Sequence, residues 1–386
     1  MDTALRPLLR VRSRVLLGIG LLLICLPAFA GSYEQVNLVS DIFGIAAGQD
    51  TNLVNAWGIT YGPTTPFWVA DNGAGVATIY NQEGVAAALV VQIPRPDGTC
   101  PTAQSPTPAT PTGIVFNGNA NSFLVAAGKP SRFIFDAEDG TISGWNSGTC
   151  AVLEVDNSAN KVDGFKLGAV YKGLAIGTTS SGDFIYATNF RDGVVEIYDA
   201  QFHFKGSFTD PHITPDAANT GFAPFGIQNI DGLLYVTFAM QDDERHDDAA
   251  GAGSGFVDVF DLNGKFKHTF ASGGVLNSPW GLALAPDGFG KFSHHLLIGN
   301  FGDGHINAFD LHSGHSDGPL KNDRHEPIFI GGLWGLKFGG GGKNTAGALV
   351  NGDPNELFFT AGIDHEGHGL FGKIIVDPDE RRRGDH

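Results

Sequence analysis

The chain has 386 residues, 42% hydrophobic and 17% charged, enough to bury a sizeable core in one large domain or two ordinary ones. Glycine is very frequent at 55, and Phe at 29 far outnumbers Met at 2, a mixture that suits short strands and tight turns better than helices. The formal net charge of −17 argues against nucleic acid and against anionic membrane surfaces as partners, and favours solubility and cations.

The first thirty residues read as a segment apart from the fold. Arg6, Arg10, Arg12 and Arg14 form a basic region, "VLLGIGLLLICL" (15–26) an apolar core, and Ala28-Phe29-Ala30 a small-x-small cleavage pattern. Together they predict a secretory signal peptide over 1–30, with an uncleaved anchor as the rival reading. Cleavage would remove Asp2 and those four arginines, leaving 40 acidic and 20 basic side chains and a charge of −20. The product is expected to be secreted or periplasmic and monomeric, with no membrane span after cleavage. Cys100 and Cys150 are left as candidates to pair in an oxidising compartment, with two free thiols as the alternative.

Six similar segments follow in chain order. A glycine and an apolar residue open "WGITY" (57–61), "TGIVF" (112–116), "KGLAI" (172–176), "FGIQN" (225–229), "WGLAL" (280–284) and "WGLKF" (334–338). The glycines are spaced by 55, 60, 53, 55 and 54 residues, a structural period. Behind each comes a second strand, such as "FWVAD" (67–71) or "FIYAT" (184–188), and a third, such as "VATIYN" (76–81) or "VVEIYD" (194–199). A fourth follows most of them, as in "ALVVQI" (88–93), "FKGSFT" (204–209) and "FKHTFA" (266–271). Four strands in six periods predict an all-β, six-bladed β-propeller over 31–376, with a charged tail over 377–386. The sixth repeat lacks a fourth strand, and "YEQVNLVS" (33–40) has no blade of its own. The N-terminal strand is therefore expected to complete the last blade and remove an open edge. The glycines should admit close backbone approach near the axis. Trp57, Trp280 and Trp334 should fill the wedge between blades as packing residues.

Strand alternation assigns the site. The loop joining strands two and three of a blade shares a face with the loop that leads into it, here called the mouth face. Onto it fall Asn72, Glu138, Asp139, Asn189, Asn300 and Asp303, with Asn55 and Asn277 from the leading loops. Oxygen donors around a propeller mouth suit a hard cation such as Ca²⁺, although hairpins use the same residue types. Two loops exceed what a turn requires. "AMQDDERHDDAAGAGS" (239–254) carries Asp243 and His246; "GIDHEGHG" (362–369) carries Asp364, His365, Glu366 and His368. Their blades flank blade five, so both are expected to lean over one part of the mouth. The candidate ligand-binding residues are Asn72, Asn189, Asp243, His246, Asn300, His365 and Glu366.

The stretch "PWGLALAPDG…LLIGNFGDGHINAFD" (279–310) resembles NHL-type six-bladed propellers. "NLVNAWGITYGPTTPFWVADNGAGVATIYN" (52–81), "RFIFDAEDGTISGWN" (132–146) and "LNSPWGLALAP" (276–286) resemble a family of exported bacterial propellers with no assigned activity. Some members of that family carry a C-terminal sorting tail, which this chain lacks. The resemblance implies a freely exported binding or scaffold protein that presents its mouth to a ligand or partner. The alternative is a hydrolase similar to the calcium-dependent lactonases and esterases on six-bladed propellers, which place Glu, Asn and Asp around a central metal. Asn72, Asn189 and Asn300 correspond in position, and no residue here matches that family's acidic ligand. Asp364 completes the candidate metal set of Asn72, Asn189, Asn300 and Asp364. Whether the chain is an enzyme stays open at this level.

Overall fold

The computed structural model describes Met1 and residues 31–101, 107–125, 128–159, 161–162, 165–166, 168–213 and 221–377. The expected leader beyond Met1 and the tail after residue 377 lie outside the described residues. Among the described residues, six blades of four antiparallel strands are arranged as a propeller, the sixth extended by Gly48–Gln49 running parallel to its outer strand. Their innermost strands are Ala56–Thr60, Pro111–Phe116, Tyr171–Thr179, Phe222–Ile230, Pro279–Leu284 and Leu333–Phe338. Blades two and five also have outer strands, Val152–Asp156 and Ser316–Pro319. In blade one the expected outer strand shrinks to Val91–Gln92. Its backbone is taken up instead by blade two: Gln92 N–H donates to Thr149 O and Gln92 O accepts from Ala151 N–H, beside the Cys100–Cys150 disulfide. The segment before the second strand of blade two folds as an extra hairpin, Leu124–Val125 with Lys129–Pro130.

Tyr33–Ser40 lies antiparallel on His368–Val376 as the outer strand of blade six, in register from Tyr33↔Val376 to Ser40↔Leu370. The two ends of the chain thus close the ring.

Burial follows the blades. Six apolar cores lie between successive blades, and a seventh occupies the axis. The glycine ring explains how the axis closes. A Cβ on Gly58 would stand 2.5 Å from Thr112 O, on Gly226 2.1 Å from Trp280 O, on Gly281 2.4 Å from Trp334 O, and on Gly335 2.7 Å from Trp57 O. Each blade's glycine therefore backs onto the next blade's chain, and the sixth onto the first. Gly226→Ala is expected to cost about 3 kcal/mol, because the added methyl meets backbone rather than a movable side chain. Gly221→Ala, which meets nothing within 4 Å, is the control; equal melting temperatures for the two variants would contradict this account.

The tryptophans do not fill the wedges between blades. A register shift at the residue before each glycine, as at Ala56/Ile59 and Leu333/Leu336, re-aims that side chain at the axis. Trp57 stacks on Trp334 with centroids 3.5 Å apart, Trp280 meets both edge-on, and Phe225 and Phe301 pack on Trp334. The result is an aromatic hub that seals the channel under the mouth face.

Candidate functional site

The six positions immediately before the glycines hold Trp57, Thr112, Lys172, Phe225, Trp280 and Trp334. Five suit a packed axis, and the sixth is a lysine. Lys172 is 1% exposed. Its Nζ lies 5.1 Å from the centre of the Trp57 ring, and its carbonyl accepts from Trp280 Nε1 at 2.9 Å. The ammonium donates to Glu138 Oε1 and, at 3.0 Å, to Asp247 Oδ1. Burial alone would lower the Lys172 pKa, but the charges of Glu138 and Asp247 outweigh it and hold the pKa above the usual lysine value.

A polar chain spreads from this lysine. Glu138 Oε2 accepts from Asn72 Nδ2 at 2.8 Å. Asn72 Oδ1 accepts from Asn55 Nδ2 at 3.2 Å, and the same amide donates to Glu366 Oε2 at 2.8 Å. On the other side, Asp247 Oδ1 meets His246 Nδ1 at 2.9 Å. Five blades thus contribute to one point, blade five being the exception. The blade-six loop reaches it through three consecutive left-handed residues, Asp364 (φ 53°), His365 (φ 54°) and Glu366 (φ 64°). Such non-glycine conformations cost roughly 1–3 kcal/mol each and mark a turn held by its surroundings.

The centre is over-supplied with negative charge. Glu138, Asp247 and Glu366 face the Lys172 ammonium, with Asp248 and the Arg191 guanidinium close by. Burial raises the pKa of Glu366, and the neighbouring Glu138 and Asp247 charges add to the rise. Asp247 is held well below the usual carboxylate range by its hydrogen bond to His246 and by Lys172. Ligand atoms of Glu138, His246 and Asp247 all lie within 4.8 Å of one another. Carboxylate oxygens in excess of the local cations suit a hard ion in type and in charge, although Lys172 already engages two of these carboxylates.

Of the residues expected at the site, Asn72, His246 and Glu366 come together. Asn189 and Asn300 are fully buried and committed to their own loops. Asn189 donates to Asp192 and Glu196 and accepts from Val170 N–H. Asn300 donates to Val275 O and Asp303 and accepts from Asn277 N–H. Asp243, Asp364 and His365 are exposed rim residues, and no contact links them to the polar chain among the described residues. Lys172 is the member that sequence reading passed over; aligning the six repeats on their glycines would have shown a lysine among aromatic residues. Trp57 Nε1–H is buried beneath it without an acceptor.

Below the mouth, burial pushes Asp136 up to about 7 although it accepts from Gly113 N–H and Thr112 Oγ1. A raised carboxylate pKa stabilises the fold fully below the unfolded value near 3.9 and loses that contribution as pH rises through about 7. Asp136→Asn is therefore expected to gain stability over the parent on going from pH 5 to pH 8. Parallel melting curves for the two proteins across that range would contradict the assignment.

No protein-family model matches the chain. Two uncharacterised proteins of Acanthamoeba polyphaga mimivirus match it along most of its length. One is 32% identical over 348 residues, covering 88% of this chain and 79% of its own. The other is 29% identical over 359 residues, covering 91% and 88%. These relatives are viral rather than bacterial. Among solved structures, virginiamycin B lyase from Staphylococcus aureus is similar at 14% identity and a TM-score of 0.45, covering 89% of this chain and 99% of that one. A glucose dehydrogenase is similar at 10% identity and a TM-score of 0.49, covering 88% and 98%. The first of the viral matches is close and long enough to establish kinship: the chain belongs to the family of these uncharacterised mimivirus proteins.

Proposed function

We propose that the protein is an exported binding protein whose mouth holds its ligand through a cation held by Glu138 and Asp247 beside His246. The observation that carries the reading is the convergence of five blades on a sealed, net-negative centre. An aromatic hub fills the axis under the mouth, so a ligand is held there rather than threaded. Ca²⁺ is the ion that suits carboxylate oxygens, and bound there it would supply a fixed positive charge to an anionic or hydroxyl-bearing ligand. Export is supported by the leader pattern of residues 1–30 and by the Cys100–Cys150 disulfide, a bond kept mainly in oxidising compartments. No helix among the described residues is long and apolar enough to cross a membrane.

Thermal melting in Ca²⁺ and in chelator tests the reading. Saturation at a hundredfold excess over Kd stabilises by about 2.7 kcal/mol, so the midpoint should rise with Ca²⁺ and the rise should vanish in Asp247→Asn. Equal midpoints in Ca²⁺ and chelator would remove the ion from the proposal. Turnover of a lactone or aryl ester that is lost in Glu138→Gln would replace binding by hydrolysis.

A further inference from the structure

The far end of the channel has a different chemistry. Beyond the glycines the inner strands splay into two adjoining hollows of about 330 and 250 Å³ that share Tyr61, Gln228, Asn229 and Lys337. Apolar side chains, Ile59, Ile114, Leu174, Leu282 and Leu336 among them, line both beside a larger polar surface. The funnel narrows toward the axis to a hollow of only about 40 Å³, and the aromatic hub lies between it and the mouth. Lys337 is partly buried, and its Nζ lies 5.5 Å from the centre of the Tyr61 ring. It has no ion pair or hydrogen bond among the described residues. Asp231, on the rim of the smaller hollow, is exposed and does not offset it. Burial lowers the Lys337 pKa with no acidic neighbour to counter it.

We propose that this far-face funnel is a second ligand site, taking a small carboxylic acid with an apolar body, its carboxylate on Lys337 Nζ and its body against the inner-strand side chains. The charge count selects the class. A neutral ligand leaves the ammonium unpaired and a cation repels it. A phosphate dianion brings a second charge that nothing in the funnel offsets. A monocarboxylate pairs once, and its chain replaces water against the apolar side chains of the lining. The larger hollow lies at the lower limit of ordinary small-molecule sites.

Octanoate titrated calorimetrically into the chain from Gly31 to His386 is the test. It should bind once, and at least tenfold more tightly than 1-octanol or octyltrimethylammonium. Lys337→Met, which keeps the apolar stem, should weaken octanoate at least tenfold, whereas Lys321→Met, at an exposed lysine outside the funnel, should leave it unchanged. The proposal is overturned by no octanoate binding, by equal binding of octanol, by undiminished binding to Lys337→Met, or by an equal loss in Lys321→Met. The comparison of the three ligands on the parent protein needs no variant, so it decides the matter even if Lys337→Met does not fold.

Discussion

A chain that begins at Asp41 should not form a stable monomer. Among the described residues, Tyr33–Ser40 alone pairs with the outer edge of His368–Val376, and it pairs in turn, in parallel, with Gly48–Gln49. Its removal would leave a nine-residue edge strand open to other chains. It also takes away the buried side chains of Tyr33, Leu38 and Val39, each worth about 1.5–3 kcal/mol. Tyr33 does more than fill space. Its ring stacks on Phe292 and tilts against Phe289 of blade five, and its hydroxyl donates to Phe289 O and accepts from Phe292 N–H. One residue thus ties the closing strand to the neighbouring blade. The summed loss rivals the whole net stability of a typical domain, about 5–15 kcal/mol. Circular dichroism melting and light scattering would read it as lost cooperativity and as aggregates, and a synthetic peptide of residues 31–40 should restore the melt. A truncated monomer melting within a few degrees of the parent would show that the ring does not depend on this closure.

Lys172→Met should have the second largest effect. It keeps a flexible apolar stem in the hub but leaves Glu138 without its cation. The Glu138 side chain is 10% exposed, whereas that of Asp247 is 66% exposed and can turn to water. The cost therefore rests on Glu138 and is about 3 kcal/mol, the usual penalty for stranding one partner of a buried pair. Adding Glu138→Gln should recover much of it, because Asn72 Nδ2 still finds an acceptor while the stranded charge is gone. A double variant no more stable than Lys172→Met would mean that the lysine acts by shape and not by charge.

The two effects differ in how early they could be read. The period of the glycines, the strands behind them and the unpaired segment 33–40 are local patterns, so the blade count and the closing strand follow from order along the chain. Cys100 and Cys150 were candidates by composition and compartment, and the fold brings them together where blade two takes up the edge of blade one. The mouth was only half legible. Alternation assigns a face, and so Asn72 and Glu366 could be placed on the correct side of the ring. It does not say whether a carboxamide is free. Asn189 and Asn300 share that face, yet each is spent on its own loop, because a buried amide must find partners and the nearest backbone groups supply them. Nor does order along the chain bring Lys172 to Glu138 and Asp247, which come from three different blades. Radial assembly decides that meeting: six inner strands crowd one axis, and a charge placed there is drawn to whichever acidic side chains the neighbouring blades extend over it.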